Sequence, residues 1–342
     1  METNDGSARR PGRLPGRVVA VTGTSAFLGT NLIGLLEDSD RIERVVSLDR
    51  SAPATAGPKT RHFDVDLTRG NPEERIAEIL ASEKVDTLVH LAFRGSPSHR
   101  PGKVHELESV GTMHALNACR RTQVHKVVLW SQTFLYGAHP TNPNFLSESH
   151  PLRADRSDAF FADKIEAEAD ALDFGKPGRG RTVTILRTAP IVGPTIDNYF
   201  TRYLRQAVVP TVMGFDPLWQ FLHESDAVAA FKRAIDWNAP GIFNISGEGV
   251  LPLSKVVRLV SRRRVALPRP AANVVIGALW AARASAIPAA FLDYLQYVCV
   301  ADTARARREL GFVPMYTSRE AVSDFAAAQN LRDVKLLSEN PA

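Results

Sequence analysis

The residues of this chain that are equipped for chemistry gather first around a glycine turn. Gly23 and Gly29 bracket the stretch Gly23-Thr24-Ser25-Ala26-Phe27-Leu28-Gly29. It follows the β-branched run Val18-Val19-Ala20-Val21 and opens an apolar helix pattern with Leu28, Leu32, Ile33, Leu35 and Leu36. Strand, tight turn and helix in that order aim backbone N–H groups at a phosphate from a helix N-terminus. The next apolar run, Val45-Val46-Ser47-Leu48, ends on Asp49, twenty residues past Gly29. A carboxylate at that distance can accept hydrogen bonds from a ribose 2′-hydroxyl, and it repels a 2′-phosphate, so NAD is expected in preference to NADP. Arg50 argues the other way, because an arginine there can bind that phosphate. Further along, Arg202 and Arg205 carry forked donors that suit a diphosphate, although on an isolated surface helix they would serve only solubility.

These groups need a sheet to hold them. Short apolar runs end the segments Arg61–Leu67, Val85–Ala92, Val127–Trp130, Thr182–Thr188 and Ile242–Ile245, as expected of strands covered on both faces. Helical patterns lie between them. Asn71-Pro72-Glu73-Glu74 opens one with a cap, a first-turn proline and early acids, and another runs from Val104 to Arg121. The alternation predicts an α/β fold, a Rossmann-type doubly wound parallel sheet. From Pro252 on the pattern is helical and short-looped, over Leu253–Arg263, Asn273–Arg283 and Pro288–Tyr297. A smaller, mostly helical C-terminal substrate domain is therefore expected. The expected division is residues 17–188 and 220–246 for the nucleotide and 189–219 and 247–330 for the substrate, with tails at 1–16 and 331–342.

Composition narrows the classes. The chain has 342 residues, 44% hydrophobic and 23% charged, which is ordinary globular material. The net charge of +5 comes from 42 basic and 37 acidic residues, partly from Arg9, Arg10, Arg13, Arg17 and the run Arg262-Arg263-Arg264. No basic stripe is interleaved with aromatics, so nucleic acid is not an expected partner. Cys119 and Cys299 are the two cysteines, without metal-ligand spacing or a disulfide framework, which fits a reducing cytoplasm and no metal site. The first sixteen residues lack an apolar signal core and read as a disordered tail. The window from Ala271 to Phe291 is apolar but broken by Arg283 and Pro288, so it fails as a membrane span.

The run Thr22-Gly23-Thr24-Ser25-Ala26-Phe27-Leu28-Gly29 resembles the extended short-chain dehydrogenase/reductases of the NAD-dependent epimerase/dehydratase family, with Ala26 where that family usually has glycine. The likeness extends over residues 17–330. Asp66-Leu67 matches the family's adenine-contacting pair, and His90-Leu91-Ala92 its strand end beside the cofactor. Gly111-Thr112 matches an Asn-Val-x-Gly-Thr motif in which Glu108 replaces the asparagine. Ser131-Gln132-Thr133-Phe134-Leu135-Tyr136-Gly137 is similar to Ser-Ser-x-x-Val-Tyr-Gly, with Gln132 in place of the hydroxyl residue that bonds the reacting group. Leu186-Arg187, Ile191-Val192-Gly193-Pro194 and Phe221-Leu222-His223 also match, as does Arg308-Glu309-Leu310-Gly311-Phe312 near the C-terminus.

The family's Tyr-x-x-x-Lys pair falls on Phe160 and Lys164, and none of the six tyrosines has lysine four residues later. The resemblance implies that Lys164 holds the nicotinamide ribose, that Gly23, Ser25, Ala26, Phe27, Leu28, Gly29, Asp49, Arg50, Asp66, Leu67, Leu91 and Ala92 line the NAD site, and that Arg202, Arg205 and His223 face a substrate, by analogy a nucleotide sugar. It also implies a homodimer through helices near 104–121 and 159–172. Phenylalanine transfers no proton, so the acid/base would be Thr133, Tyr136, Asp163 or bound water. Two further readings stand beside this one. One is an NAD-binding sensor or scaffold without turnover, and the other a dehydrogenase for an apolar, lipid-like substrate under a lid at 271–291.

Overall fold

The computed structural model describes residues 17–339 apart from 179 and 286, and side chains as far as 331. The leader expected as a tail, 1–16, lies outside the described residues. The chain begins β1 (Arg17–Thr22), α1 (Phe27–Glu37), β2 (Ile42–Asp49), β3 (Thr60–Asp64), α2 (Pro72–Ser82) and β4 (Thr87–His90). Next come α3 (Pro101–His105), a wide π-turn over Glu106–Val110, α4 (Gly111–Arg120), β5 (Lys126–Gln132), α5 (Ala159–Phe174) and β6 (Thr182–Thr188). The remainder is β7 (Ile191–Val192), α6 (Tyr199–Arg205), β8 (Val208–Val212), β9 (Leu218–Trp219), β10 (Leu222–His223), α7 (Glu224–Asp236), β11 (Gly241–Ile245), β12 (Leu251–Pro252), α8 (Leu253–Leu259), β13 (Arg263–Leu267), α9 (Arg269–Ala281) and α10 (Ser318–Glu339).

Seven strands form one sheet in the order β11-β6-β5-β4-β1-β2-β3, every neighbouring pair parallel. Alternation along β1 shows how both faces are buried. Val19 and Val21 pack with Leu28, Leu32 and Ile33 of α1 and with Phe231 of α7, while Val18 and Ala20 pack with Ile76 and Leu80 of α2 and Leu116 of α4. Strand order reverses between β1 and β4, and a crevice opens there at the carboxyl ends of the strands, where ligands bind in such sheets.

A separate core, built from Phe160, Phe161, Tyr199, Phe200, Trp219, Phe291 and Tyr294 with α8 and α10, caps the end of the sheet above β5. Three details differ from the sequence reading. Residues 263–267 continue from a short helix into a strand, because Arg263–Leu267 finds a parallel partner in Val208–Val212, which lies far away in sequence. The final helix runs on to Glu339 through much of the expected C-terminal tail. The apolar window at 271–291 divides its surfaces: Ala272, Ile276 and Phe291 are buried in the second core, while Val274, Val275 and Leu279 are exposed. Among the described residues, no helix is long and apolar enough to cross a membrane.

Candidate cofactor and substrate site

The glycine turn is built for close approach. Gly23 has φ +72°, and a Cβ there would lie 2.6 Å from the Leu91 carbonyl oxygen. A Cβ at Gly29 would collide with the Gly23 carbonyl, so α1 rests directly on the turn. Ala26 keeps φ at −82° as the N-cap of α1, a conformation that any residue adopts, and its methyl is exposed. The family's glycine is therefore not needed here for backbone conformation. The cradle a Cβ would fill and the bare N-terminus of an eleven-residue helix fit a pyrophosphate.

Asp49 closes the far side of the turn. Its Oδ2 accepts from the Ser25 N–H and from the Ser25 hydroxyl, each at 2.9 Å, and its Oδ1 accepts from the Arg50 N–H at 2.7 Å. The Arg50 guanidinium turns to Asp66, 3.5 Å away. Asp66 also accepts from the Thr68 N–H and hydroxyl and pairs with Arg69; these partners outweigh its partial burial and hold its carboxyl below the ordinary range. Gly23, Ser25, Ala26, Asp49, Arg50, Asp66, Leu67, Leu91 and Ala92 all line one cleft, as the sequence pattern predicts.

A second, aromatic pocket adjoins that cleft. It is shared by Ala26, Phe27 and Leu28 of the turn, by Trp130, Gln132 and Phe134 from the end of β5, and by Asn198, Tyr199 and Phe200 at the start of α6. The loop before α6 is tightly held. Glu224 accepts from the Thr195 and Ile196 N–H groups, and Asn198 caps α6 while donating to the Ile191 carbonyl. The side chain of Gln132 is nearly buried, and its Oε1 has no hydrogen-bond partner.

Several expected residues have other work. Lys164 is buried with its Nζ 2.5 Å from Glu108 Oε2 and 3.9 Å from the Phe160 ring centre, and it is not among the residues lining either the cleft or the pocket. Glu108 is fully buried, and a buried carboxylate claims the nearest ammonium. Burial pushes the Glu108 carboxyl upward, with Lys164 and the Arg94 N–H (2.6 Å) pulling the other way. Thr133 is buried and lines neither the cleft nor the pocket, and its carbonyl accepts from the Cys299 Sγ.

Tyr136 is sealed inside. It donates to Asn244 at 2.7 Å and accepts from Arg187 at 2.9 Å, and burial raises its phenol above the ordinary value. His223 caps α7 through its Nδ1, bonds Asp324 at 3.0 Å and stacks on Tyr316, so it is structural. Arg202 and Arg205 both pair with Asp197, Arg202 through two nitrogens, which leaves the trio one positive charge in excess, and Arg202 with Asp197 lines the cofactor cleft. Asp163 bonds His105 at 2.7 Å, and with Glu166 these are, among the described residues, one group of side chains near enough to share a metal ion. Phe160 packs edge-on against Tyr199, ring centres 5.8 Å apart. Tyr199 itself was not legible as a site residue, because its contact with the pocket depends on how the loop before α6 crosses the end of the sheet.

A parallel sheet with a glycine cradle at its switch point and an acid ending the second strand defines a nucleotide-binding Rossmann protein. The chain belongs to the NAD dependent epimerase/dehydratase family, whose model matches residues 19–246. An uncharacterised protein of Mycobacterium tuberculosis (strain ATCC 25618 / H37Rv) is 33% identical over 93% of this chain and 85% of its own length. Sterol demethylase protein B of Methylococcus capsulatus is 27% identical over 90% of this chain and 96% of its own. In fold the chain is similar to MoeE5, solved with UDP-glucuronic acid and NAD, at a TM-score of 0.71 and 23% identity, covering 92% of this chain and 99% of that one.

Proposed function

We propose that this protein is an NAD-dependent oxidoreductase acting on a hydroxyl or keto group of a mainly apolar compound. The observation that carries the reading is the aromatic pocket, where Phe27, Trp130, Phe134 and Tyr199 meet the cofactor turn. When bound, NAD accepts or supplies a hydride. Gly23, Ser25 and Ala26 would hold its pyrophosphate from the start of α1, and Asp49 its adenosine ribose. Phe160 leaves the family's proton-transfer position without an acid or base, so another group takes that role. Support also comes from a relative whose name attaches it to sterol demethylation. A nucleotide sugar is the second reading, favoured by structural neighbours such as MoeE5 with UDP-glucuronic acid. In this chain a diphosphate would have to draw Arg202 and Arg205 from Asp197.

The test is NADH absorbance after mixing the purified protein and NAD with a 3-hydroxysteroid, UDP-glucose or UDP-glucuronic acid. NADH should form with the steroid alone. Formation with a UDP-sugar and not with the steroid would transfer the assignment to the second reading, and absence of NAD binding by calorimetry would sink both.

A further inference from the structure

Four tyrosines are buried in this molecule, and three have a partner for the phenol. Tyr136 donates to Asn244, Tyr203 to the Pro210 carbonyl and Tyr294 to the Phe134 carbonyl, the last two at 2.6 Å. Tyr199 is 5% exposed, and among the described residues its hydroxyl has no hydrogen-bond partner. Buried phenols ordinarily find one. Its ring is held by Phe134, Phe160, Phe200 and Phe291, with centres 4.9 to 6.4 Å away, and by its place within the capping box of α6, directly after the Asn198 N-cap.

The same pocket holds a second polar group without a partner, the Gln132 Oε1. Its other polar side chains are satisfied: the Trp130 indole donates to Thr188, Asn198 caps α6, and Asp197 is clamped by two arginines. The lining is otherwise mostly hydrocarbon and aromatic. One donor without a protein partner and one water-excluded acceptor describe the polar part of a missing ligand.

We propose that Tyr199 and Gln132 together form the oxygen-recognition site of this pocket, and that its occupant is an apolar, ring-bearing alcohol. A hydroxyl is the simplest group that meets both demands, because it accepts from the Tyr199 O–H and donates to Gln132 Oε1. A ketone meets only the first. Burial, with Cys299 nearby, holds the Tyr199 phenol well above its ordinary value, so it stays a donor at neutral pH. The proposal rests on the pocket being the substrate site of the function proposed above.

Three probes of similar shape separate the demands: 2-naphthol donates and accepts, 2-methoxynaphthalene only accepts, and naphthalene does neither. Affinities are measured by calorimetry on the full chain, with and without NAD. The unmodified protein should bind 2-naphthol best, about 10-fold over naphthalene, with 2-methoxynaphthalene between them, as expected for neutral hydrogen bonds made in a dry site. Tyr199→Phe should erase the advantage of 2-methoxynaphthalene over naphthalene and cut that of 2-naphthol to the part supplied by Gln132. Gln132→Leu should erase only the excess of 2-naphthol over its methyl ether. Equal affinity of the unmodified chain for all three probes would overturn the proposal without recourse to any variant. So would a Tyr199→Phe protein that keeps the parent ranking. NAD affinity, read in the same titrations, separates the two claims: a protein that binds NAD and ranks the probes equally loses the recognition site but remains a cofactor-binding member of its family.

Discussion

At the scale of single residues, Glu108 governs the surroundings of Lys164 more than Phe160 does. A buried carboxylate beside a buried ammonium makes each dependent on the other, since removing one leaves an uncompensated charge in a low-dielectric interior. Lys164→Ala should therefore destabilise the fold by about 3–5 kcal/mol in urea unfolding. Adding Glu108→Leu to Lys164→Ala should recover most of that loss, because the orphaned carboxylate is removed as well. If Lys164 serves only Glu108, the double variant keeps the parent's NAD affinity. A double variant that is stable but has lost NAD binding would return the lysine to the cofactor. Asp49 allows a second residue-scale prediction. Its carboxylate is held toward the turn by the Ser25 N–H and hydroxyl, so Asp49→Asn should narrow the preference for NAD over NADP in parallel titrations, by relieving charge repulsion at the 2′ position. An unchanged ratio would place the ribose elsewhere.

At the scale of elements, a buried polar cluster ties the end of β5 to α5, β6 and β11. Arg187 holds Glu168 through Nε and Nη2, with the shorter contact at 2.6 Å, and bonds the Tyr136 hydroxyl. Ser131 donates to Glu168, and Asn244 donates to the Leu146 and Asp302 carbonyls, so strands far apart in sequence are pinned to one guanidinium. Glu168 follows Lys164 by one helical turn, and the two occupy the buried side of α5 with separate partners. Arg187→Met should cost about 3–5 kcal/mol, whereas Tyr136→Phe, which removes one neutral hydroxyl from two partners, should cost about 1–3 kcal/mol. Thermal or urea unfolding of both variants decides it. A larger loss for Tyr136→Phe would mean that the phenol, and not the ion pair, organises the cluster.

At the scale of the whole molecule, the core contains a histidine that must stay neutral. His90 on β4 takes the Thr22 hydroxyl at Nδ1 (2.8 Å) and donates from Nε2 to Thr112 (2.9 Å), whose own hydroxyl donates to the Glu108 carbonyl. That chain fixes its tautomer, and burial pushes its pKa down to about 3. An unfolded histidine titrates near 6.5, so below that pH the unfolded chain binds a proton that folded His90 refuses. Stability should therefore fall as pH drops from about 6.5 toward 3, by up to about 1.4 kcal/mol per unit. His105 acts in the opposite window. Its hydrogen bond to Asp163 raises its pKa, so its contribution is full below about 6.5 and is lost as pH rises through the folded value. Urea unfolding at a series of pH values should show the acid-side slope in the parent and a shallower one in His90→Gln. Equal slopes for the parent and His90→Gln below about pH 6.5 would show that His90 protonates freely in the folded state.

Local patterning alone was enough to specify the scaffold. The seven apolar runs became the seven strands of the sheet, and Gly23, Ser25 and Asp49 fell into one cleft, because strand, turn and helix geometry depends on neighbours within a few tens of residues. What the sequence left open was partnership across distance. Lys164 lies 56 residues from Glu108, and Arg263–Leu267 becomes a strand only against Val208–Val212. Thr133 and Gln132 are adjacent in sequence yet only Gln132 lines the pocket, since β5 ends on Gln132 and a 3₁₀ turn begins at Thr133. Tyr199 carries no local signature of a site at all. Its free hydroxyl follows from burial without a partner, which is a property of the packed interior and has no counterpart in the one-dimensional pattern.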